Sequence, residues 1–346
     1  MSKIVIVGAG RIGLACAKIL RHIGQTDVTL IDSSQAAVAA AEGFDTRLAV
    51  GDQLETVMRD LKPVVIICST PFFINITVAQ IAQKIGSHYL DFTEDNRVTQ
   101  AIEALGVSRI TFVPQTGLAP GLITYIGLSL FEKLGEPASL FLRVGALPQV
   151  SFGPDHYSIT WSPDGLINEY LNPAVRKVGG IIEEVGSLSE EEQLVVNGVT
   201  YEAFTTSGGV GNLASYDHIP SVEYKTLRYP GHLEFIQQLL AKVDNDLDDG
   251  IVLAKKTFNT TRDDLVVLVA QAVDVDGRSA SRGIHFYPHD ELGLTALELT
   301  TSGTGVAVVE LLLRGALPPG TLLQSDIPFA LLRTTAAYEL IFSAAR

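Results

Sequence analysis

Residues 3–7 read KIVIV and run straight into Gly8-Ala9-Gly10-Arg11-Ile12-Gly13. The short apolar run predicts a buried strand. The stretch from about Arg11 to His22 predicts a helix, and Val28 to Ile31 a second strand closed by Asp32. Strand, glycine turn, helix, strand and acid is the order that a bound dinucleotide requires. Gly8 makes the tight turn out of the strand. Gly10, lacking a Cβ, lets a diphosphate approach the backbone, and Gly13 lets the helix lie close to the sheet. The helix N-terminus offers free N–H groups and a positive dipole end. Asp32, 19 residues beyond Gly13, can accept both adenosine ribose hydroxyls and would repel a 2′-phosphate. That predicts NAD over NADP.

The alternation continues. Val64–Cys68 predicts a third strand, followed by the Ser69-Thr70-Pro71 loop and a helix from Phe73 to Lys84. A loop in this place passes the cofactor, so Ser69, Thr70 and Pro71 join Arg11 and Ile12 as candidate cofactor contacts. For Ser69 and Thr70, helix capping is the alternative. Ser33 beside Asp32, Asp52 after the segment 47–50, and Thr93 after the predicted strand 88–92 complete the set. A further strand, 110–113, leads to Gln115-Thr116-Gly117. Residues 1–117 are thus expected to be an NAD-binding Rossmann domain.

The second half changes character. Pro120 is placed to open a helix over 121–134, and Ser162-Pro163 to cap and start one reaching Tyr170. Strands are predicted at 140–144, 157–161, 222–229, 265–275, 279–286 and 292–300, with a helix over 232–243. Asp276-Gly277 marks a hairpin. A last apolar helix is predicted over 304–313. The fold class is α/β: an N-terminal Rossmann domain with a second α+β substrate and oligomerisation domain at 118–303. A segment at 304–346 is expected to return to the first domain.

Composition removes several functions. Acidic residues outnumber basic ones, 39 to 25 among 346, which argues against nucleic-acid binding. The apolar runs fall well short of a membrane span, and no secretory signal is visible. The expected compartment is the cytoplasm. Seven scattered histidines and two cysteines, Cys16 and Cys68, give no metal-ligand spacing. Both cysteines are read as buried thiols. The acidic stretches 190–192 and 244–249 are read as solvated surface.

The segments Gly117-Leu118-Ala119-Pro120-Gly121, ALPQ at 146–149, ITWSPDGLINEYLNP at 159–173 and LRYPGH at 227–232 carry a family likeness. With them the chain resembles the saccharopine dehydrogenase-like family, and within it the lysine 6-dehydrogenases. The resemblance implies a substrate held between a Rossmann and an α+β domain, a small-molecule amino-acid substrate, and a homo-oligomer. Saccharopine reductases carry an acid where this chain has Ala119, while lysine 6-dehydrogenases share the alanine. The implied reaction is NAD-dependent oxidation of the L-lysine ε-amine to the semialdehyde. Saccharopine or another opine is the alternative substrate, and a nucleotide-binding regulatory or structural protein without catalysis the third reading.

Oxidising an amine with NAD needs a base to keep the amine neutral and a clamp for the far end of the substrate. Arg228 is the candidate clamp for a carboxylate, with a surface ion pair as its plainer reading. His232, at a helix start where the dipole lowers its pKa, and Asp91 are candidates for base or relay. Trp161 is placed as an apolar floor, with core packing as the alternative. Asp164, Glu169 and Tyr229 lie in the same two segments and are candidate substrate contacts.

Overall fold

The computed structural model describes residues 2–134, 136–151, 153 and 155–346. The chain divides into two compact units, residues 1–122 with 298–343, and residues 123–297 with 344–346.

The first unit alternates strands and helices. The strands are β1 (Ile4–Val7), β2 (Val28–Asp32), β3 (Asp45–Leu48), β4 (Val65–Cys68), β5 (His88–Asp91) and β6 (Thr111–Val113). Between them lie α1 (Arg11–His22), α2 (Gln35–Ala40), α3 (Gln53–Leu61), α4 (Phe72–Ile85) and α5 (Asn96–Glu103). The strand order is β3-β2-β1-β4-β5-β6, and every pair is parallel. β1 and β4 are buried along their whole length, as strands covered on both faces must be. The order reverses between β1 and β4, so the loops leaving those two strands flank the crevice where such sheets bind ligands.

In the second unit, α6 (Leu122–Phe131) precedes β7 (Pro137–Pro148) and α7 (Pro163–Leu171). Then come β8 (Ala174–Val178), β9 (Ile181–Val185), β10 (Glu192–Val196), β11 (Val199–Thr205) and β12 (Ser221–Arg228). Helices α8 (His232–Ala241) and α9 (Leu247–Thr257) lead to the hairpin β13 (Asp264–Asp274) and β14 (Ser279–Phe286). The main path is β10-β11-β12-β7-β13-β14, parallel only between β12 and β7. The sheet curls strongly. Tyr201 on β11 and His285 on β14 are separated by three strands in that order, yet their side chains meet at 3.4 Å. Leu147, Tyr201, Leu227 and Val267 from the sheet pack with Leu166, Ile167 and Tyr170 of α7 and Ile236 of α8.

The remaining chain forms α10 (Ala296–Leu313), β15 (Gly320–Thr321), α11 (Phe329–Leu332) and α12 (Ala336–Ser343). β15 adds to β6 in parallel, as a seventh strand of the first sheet. Glu310 of α10 accepts from the amides of Ala336 and Ala337 and so caps α12. Helix α10 is long and apolar enough to cross a membrane, but 83% of that span is buried inside the protein, as in a core helix.

Several sequence expectations need correction. Residues 292–300 are not a strand. Ala296 begins α10 because the buried carboxylate of Asp264, on β13, accepts from the amides of Ala296 and Leu297 at 2.6 and 2.9 Å. That cap lies 32 residues away, where local pattern cannot see it, and α10 runs through the expected boundary at 303/304. Residues 157–161 form only an isolated bridge, Ile159 with Thr260. The Ala119–Pro120 bond is cis, Gly121 has φ +137°, and the helix starts at Leu122 rather than at the proline. Strands β8 to β11 were not expected. Their turns, Gly179-Gly180 and Asn197-Gly198, all at positive φ, are the hairpin signals that would have found them. Asp246 is not simply solvated, since its carboxylate caps α9 through the Asp249 amide. Glu192 is half-buried between Arg143 and Lys225.

Candidate active site

The glycine turn has the geometry that its spacing predicts. Gly8 follows β1 at φ +102°, and a Cβ there would lie 2.6 Å from the Ser69 carbonyl oxygen. A Cβ on Gly13 would lie 1.9 Å from the Gly8 carbonyl oxygen. Both glycines are therefore required by close backbone packing. Gly10 is different. It is the N-cap of α1, it carries no side-chain cap, and a Cβ there would meet nothing within 4 Å. The uncapped helix N-terminus faces open space, which fits a diphosphate against its free N–H groups.

Asp32 ends β2 half-exposed. Its Oδ2 accepts from the Ala9 amide at 2.7 Å and its Oδ1 from the Ser34 amide at 2.8 Å. The carboxylate thus ties the glycine turn to the second strand and keeps lone pairs for ribose hydroxyls. This arrangement fits the adenosine half of NAD.

The other predicted cofactor residues divide. Ser69 Oγ donates to the Gly8 carbonyl oxygen at 2.9 Å, so it braces the turn. Thr70 Oγ1 lies 3.2 Å from both Cys68 Sγ and Asn75 Oδ1. Pro71 is the N-cap of α4. Arg11 pairs with Glu298 at 2.8 Å, with 45% of its side chain exposed. The Ile12 carbonyl accepts from Ser302. Ser33 and Asp52 are exposed, Asp52 as N-cap of α3 without a side-chain bond. Thr93 Oγ1 accepts from the Asp95 amide. Cys16 and Cys68 are buried, and burial pushes both thiols up to about 12.

Asp91, a candidate base, is enclosed at the end of β5. Its Oδ2 accepts from the Tyr89 hydroxyl at 2.7 Å, and its Oδ1 from the Thr93 and Gln115 amides at 3.0 Å each. Burial raises its pKa despite these donors. In this geometry Asp91 organises the loops after β5 and β6.

The second unit gathers a different group. Arg228, the last residue of β12, is only 2% exposed. Its Nε donates to the Tyr170 hydroxyl at 2.8 Å and its Nη1 to the Leu227 carbonyl at 2.8 Å. The guanidinium lies over the rings of Tyr157 and Tyr170, at 4.8 and 5.6 Å from their centroids. Tyr170 stands 3.1 Å from His232 Nε2, and His232 Nδ1 lies 2.8 Å from the Asp155 carbonyl oxygen. A carbonyl can only accept, so His232 carries its proton on Nδ1. Nε2 then accepts from the Tyr170 hydroxyl, which in turn accepts from Arg228.

His232 is fully buried, and burial together with the Arg228 charge pushes its pKa down to about 3. The sequence expected a neutral histidine because of the helix dipole; it is neutral for these two stronger reasons. With both nitrogens engaged, it braces Tyr170 instead of presenting a free base. Burial likewise raises the Tyr170 hydroxyl, which stays protonated. Arg228 remains charged. Burial opposes its charge, and Tyr170, Tyr157 and Glu169 favour it. Among the described residues no carboxylate pairs with it.

Of the other candidates, Glu169 is near enough to support the Arg228 charge. Trp161 is half-buried, packed against the core and over the first turn of α7, where a Cβ on Gly165 would strike its ring. Asp164 is exposed and pairs with Lys255. The Tyr229 hydroxyl donates to the Pro148 carbonyl at 2.9 Å, and its ring stacks on Tyr201. Sequence reasoning missed Tyr157 and Tyr170. Tyr170 falls three and four residues after Ile167 and Leu166, on the buried stripe of α7. A hydroxyl-tipped ring on such a stripe needs a buried polar partner, and that was the available signal.

Fold and glycine turn together define an oxidoreductase with an NAD-binding Rossmann unit. The chain belongs to the saccharopine dehydrogenase family: residues 117–328 match the saccharopine dehydrogenase C-terminal domain, and residues 4–90 match the TrkA-N domain. Among solved structures, it is similar to apo saccharopine dehydrogenase (L-Glu forming) from Saccharomyces cerevisiae. That match has 17% identity and a TM-score of 0.73, over 99% of this chain and 96% of that one. It is also similar to an amine dehydrogenase from Mycobacterium smegmatis, at 12% identity and a TM-score of 0.51, over 94% and 96%. At these identities the likeness is one of fold.

Proposed function

We propose that this protein is an NAD-dependent dehydrogenase acting on the CH–NH bond of a carboxylate-bearing amino-acid substrate, with secondary amines of the saccharopine or opine kind as the preferred class. The observation that carries this reading is Arg228, a buried guanidinium with no carboxylate partner among the described residues. Such a charge is costly to bury without a facing anion. Nε and Nη1 are engaged, and a substrate carboxylate would meet it through Nη2. Family membership supplies the amine chemistry, and the likeness to a yeast saccharopine dehydrogenase supports a saccharopine-like substrate over the free lysine expected from the sequence.

In this reading Gly8, Gly10 and Gly13 hold the diphosphate of NAD and Asp32 the adenosine ribose. NAD held there would supply the hydride acceptor for the carbon that bears the nitrogen. The nitrogen loses its proton, and water adds to the resulting iminium to give a carbonyl compound and a free amine. Arg228 holds the carboxylate, and Tyr170 and His232 hold Arg228. One observation keeps L-lysine as a second substrate reading: Ala119 stands before Pro120-Gly121, where saccharopine reductases resemble this chain but carry an acid. Self-association belongs to the same proposal and is checked by light scattering at micromolar concentration.

The test follows NADH formation by absorbance with saccharopine, other opines, L-lysine, ornithine and simple diamines. Turnover of saccharopine or an opine supports the main reading, and turnover of lysine alone the second. No turnover of any of them would leave a nucleotide-binding protein without this chemistry.

A further inference from the structure

Glu202 lies on β11 directly opposite Arg228 on β12. Directly opposed residues in an antiparallel pair project from the same face, so an acid and a base stand ready to form a salt bridge. They do not form one. Glu202 Oε2 accepts from the Gly231 amide at 2.7 Å, and Oε1 from the Leu233 amide at 2.5 Å. These are the first amides of α8. That helix has Gly231 as its N-cap, at φ +98°, with no side-chain cap of its own. A carboxylate from a neighbouring strand supplies the missing cap, where the helix dipole also favours it. Glu202 itself is only 3% exposed.

The consequence reaches Arg228 from two sides. The two capping bonds fix the chain from Gly231 to Leu233 and so place the His232 ring that braces Tyr170, which in turn receives Arg228 Nε. The same bonds aim both Glu202 oxygens at the start of α8, so the acid opposite Arg228 in register is turned to the helix and not to the guanidinium.

We infer that Glu202 is a positioning residue for carboxylate recognition: by capping α8 it orients the Arg228–Tyr170–His232 column and does not itself pair with Arg228. The inference rests on the proposed role of Arg228. Its special content is that Glu202 acts on recognition of the carboxylate and not on the amine or the cofactor.

The test is titration calorimetry on the full-length, NADH-saturated protein. The ligands are saccharopine, L-lysine and L-glutamate, with cadaverine as a carboxylate-free control. The variants are E202A, E202Q and R228A, with thermal melts to follow folding. E202A should weaken the carboxylate ligands by about tenfold, the value of a lost charge-assisted pair of bonds. E202Q keeps one acceptor oxygen and should recover about half of that loss on a logarithmic scale. Cadaverine and NADH should bind each variant as they bind the parent. Wild-type affinity for the carboxylates in both Glu202 variants, with R228A impaired, would overturn the inference and leave the Arg228 reading intact. Equal weakening of cadaverine would also overturn it, as the mark of a general structural defect. Unchanged carboxylate binding in R228A, or none by the parent, would overturn the reading of Arg228 and the inference with it.

Discussion

Arg228 Nε donates to the Tyr170 hydroxyl at 2.8 Å, inside a core where neither residue meets an acid at ion-pair distance among the described residues. The bond turns one edge of the guanidinium toward a tyrosine, and with Nη1 on the Leu227 carbonyl it leaves Nη2 for another ligand. It also explains why the tyrosine must be a tyrosine: its oxygen accepts from the arginine while its hydrogen goes to His232.

Replacing Arg228 by alanine should cost roughly 2–4 kcal/mol in kcat/KM for a carboxylate substrate. The loss should fall mainly on KM if the clamp holds ground state and transition state alike. Steady-state kinetics decides it, and wild-type constants in R228A would remove the clamp.

Tyr170→Phe removes one oxygen and two hydrogen bonds. It leaves Arg228 Nε and His232 Nε2 unpaired in a buried place, at a cost of about 1–3 kcal/mol in stability. Urea unfolding should show this as a lower midpoint at unchanged slope. Unchanged stability would mean that the column is not formed in solution.

The buried His232 makes a pH prediction. Its folded pKa, about 3, lies below the ordinary 6.5. Below pH 6.5 the unfolded chain takes up a proton that the folded chain refuses. Its contribution to stability is therefore complete above pH 6.5 and is lost as pH falls toward 3. Between pH 7 and pH 5 the loss amounts to about 2 kcal/mol. His232→Gln should flatten the stability–pH curve by about that amount. The parent enzyme's pH–rate profile should show no step near 6.5 that vanishes in this variant.

Two substitutions test the cofactor turn. Gly13→Ala places a methyl against the Gly8 carbonyl, so NADH binding should fall by at least about tenfold, together with a loss of roughly 1–3 kcal/mol in stability. Asp32→Ala should weaken NADH and narrow its advantage over NADPH. Fluorescence titration reads both, and equal tight binding of the two cofactors by the parent protein would defeat the assignment of Asp32.

The Rossmann unit was legible because its determinants are local. Glycines at fixed spacing, apolar runs of strand length and an acid at the end of β2 each act within a few residues or one strand pairing. The same holds for the Asp276-Gly277 hairpin and for the Ser162 cap of α7, whose Oγ accepts from the Gly165 amide. Arg228 was legible as a residue type at a strand end. Its state was not, because whether an arginine is a surface cation or a buried one depends on which rings close over it and which acids are drawn elsewhere. Tyr157 and Tyr170 come from segments far from β12, and Glu202 is diverted by a helix that it starts itself. Asp264 does the same for α10, turning a stretch that reads as strand into helix. Short-range sterics and periodicity thus determined the dinucleotide turn from the sequence alone. Long-range capping and burial, which exist only once distant segments meet, decided where two helices begin and left one guanidinium without a carboxylate partner among the described residues.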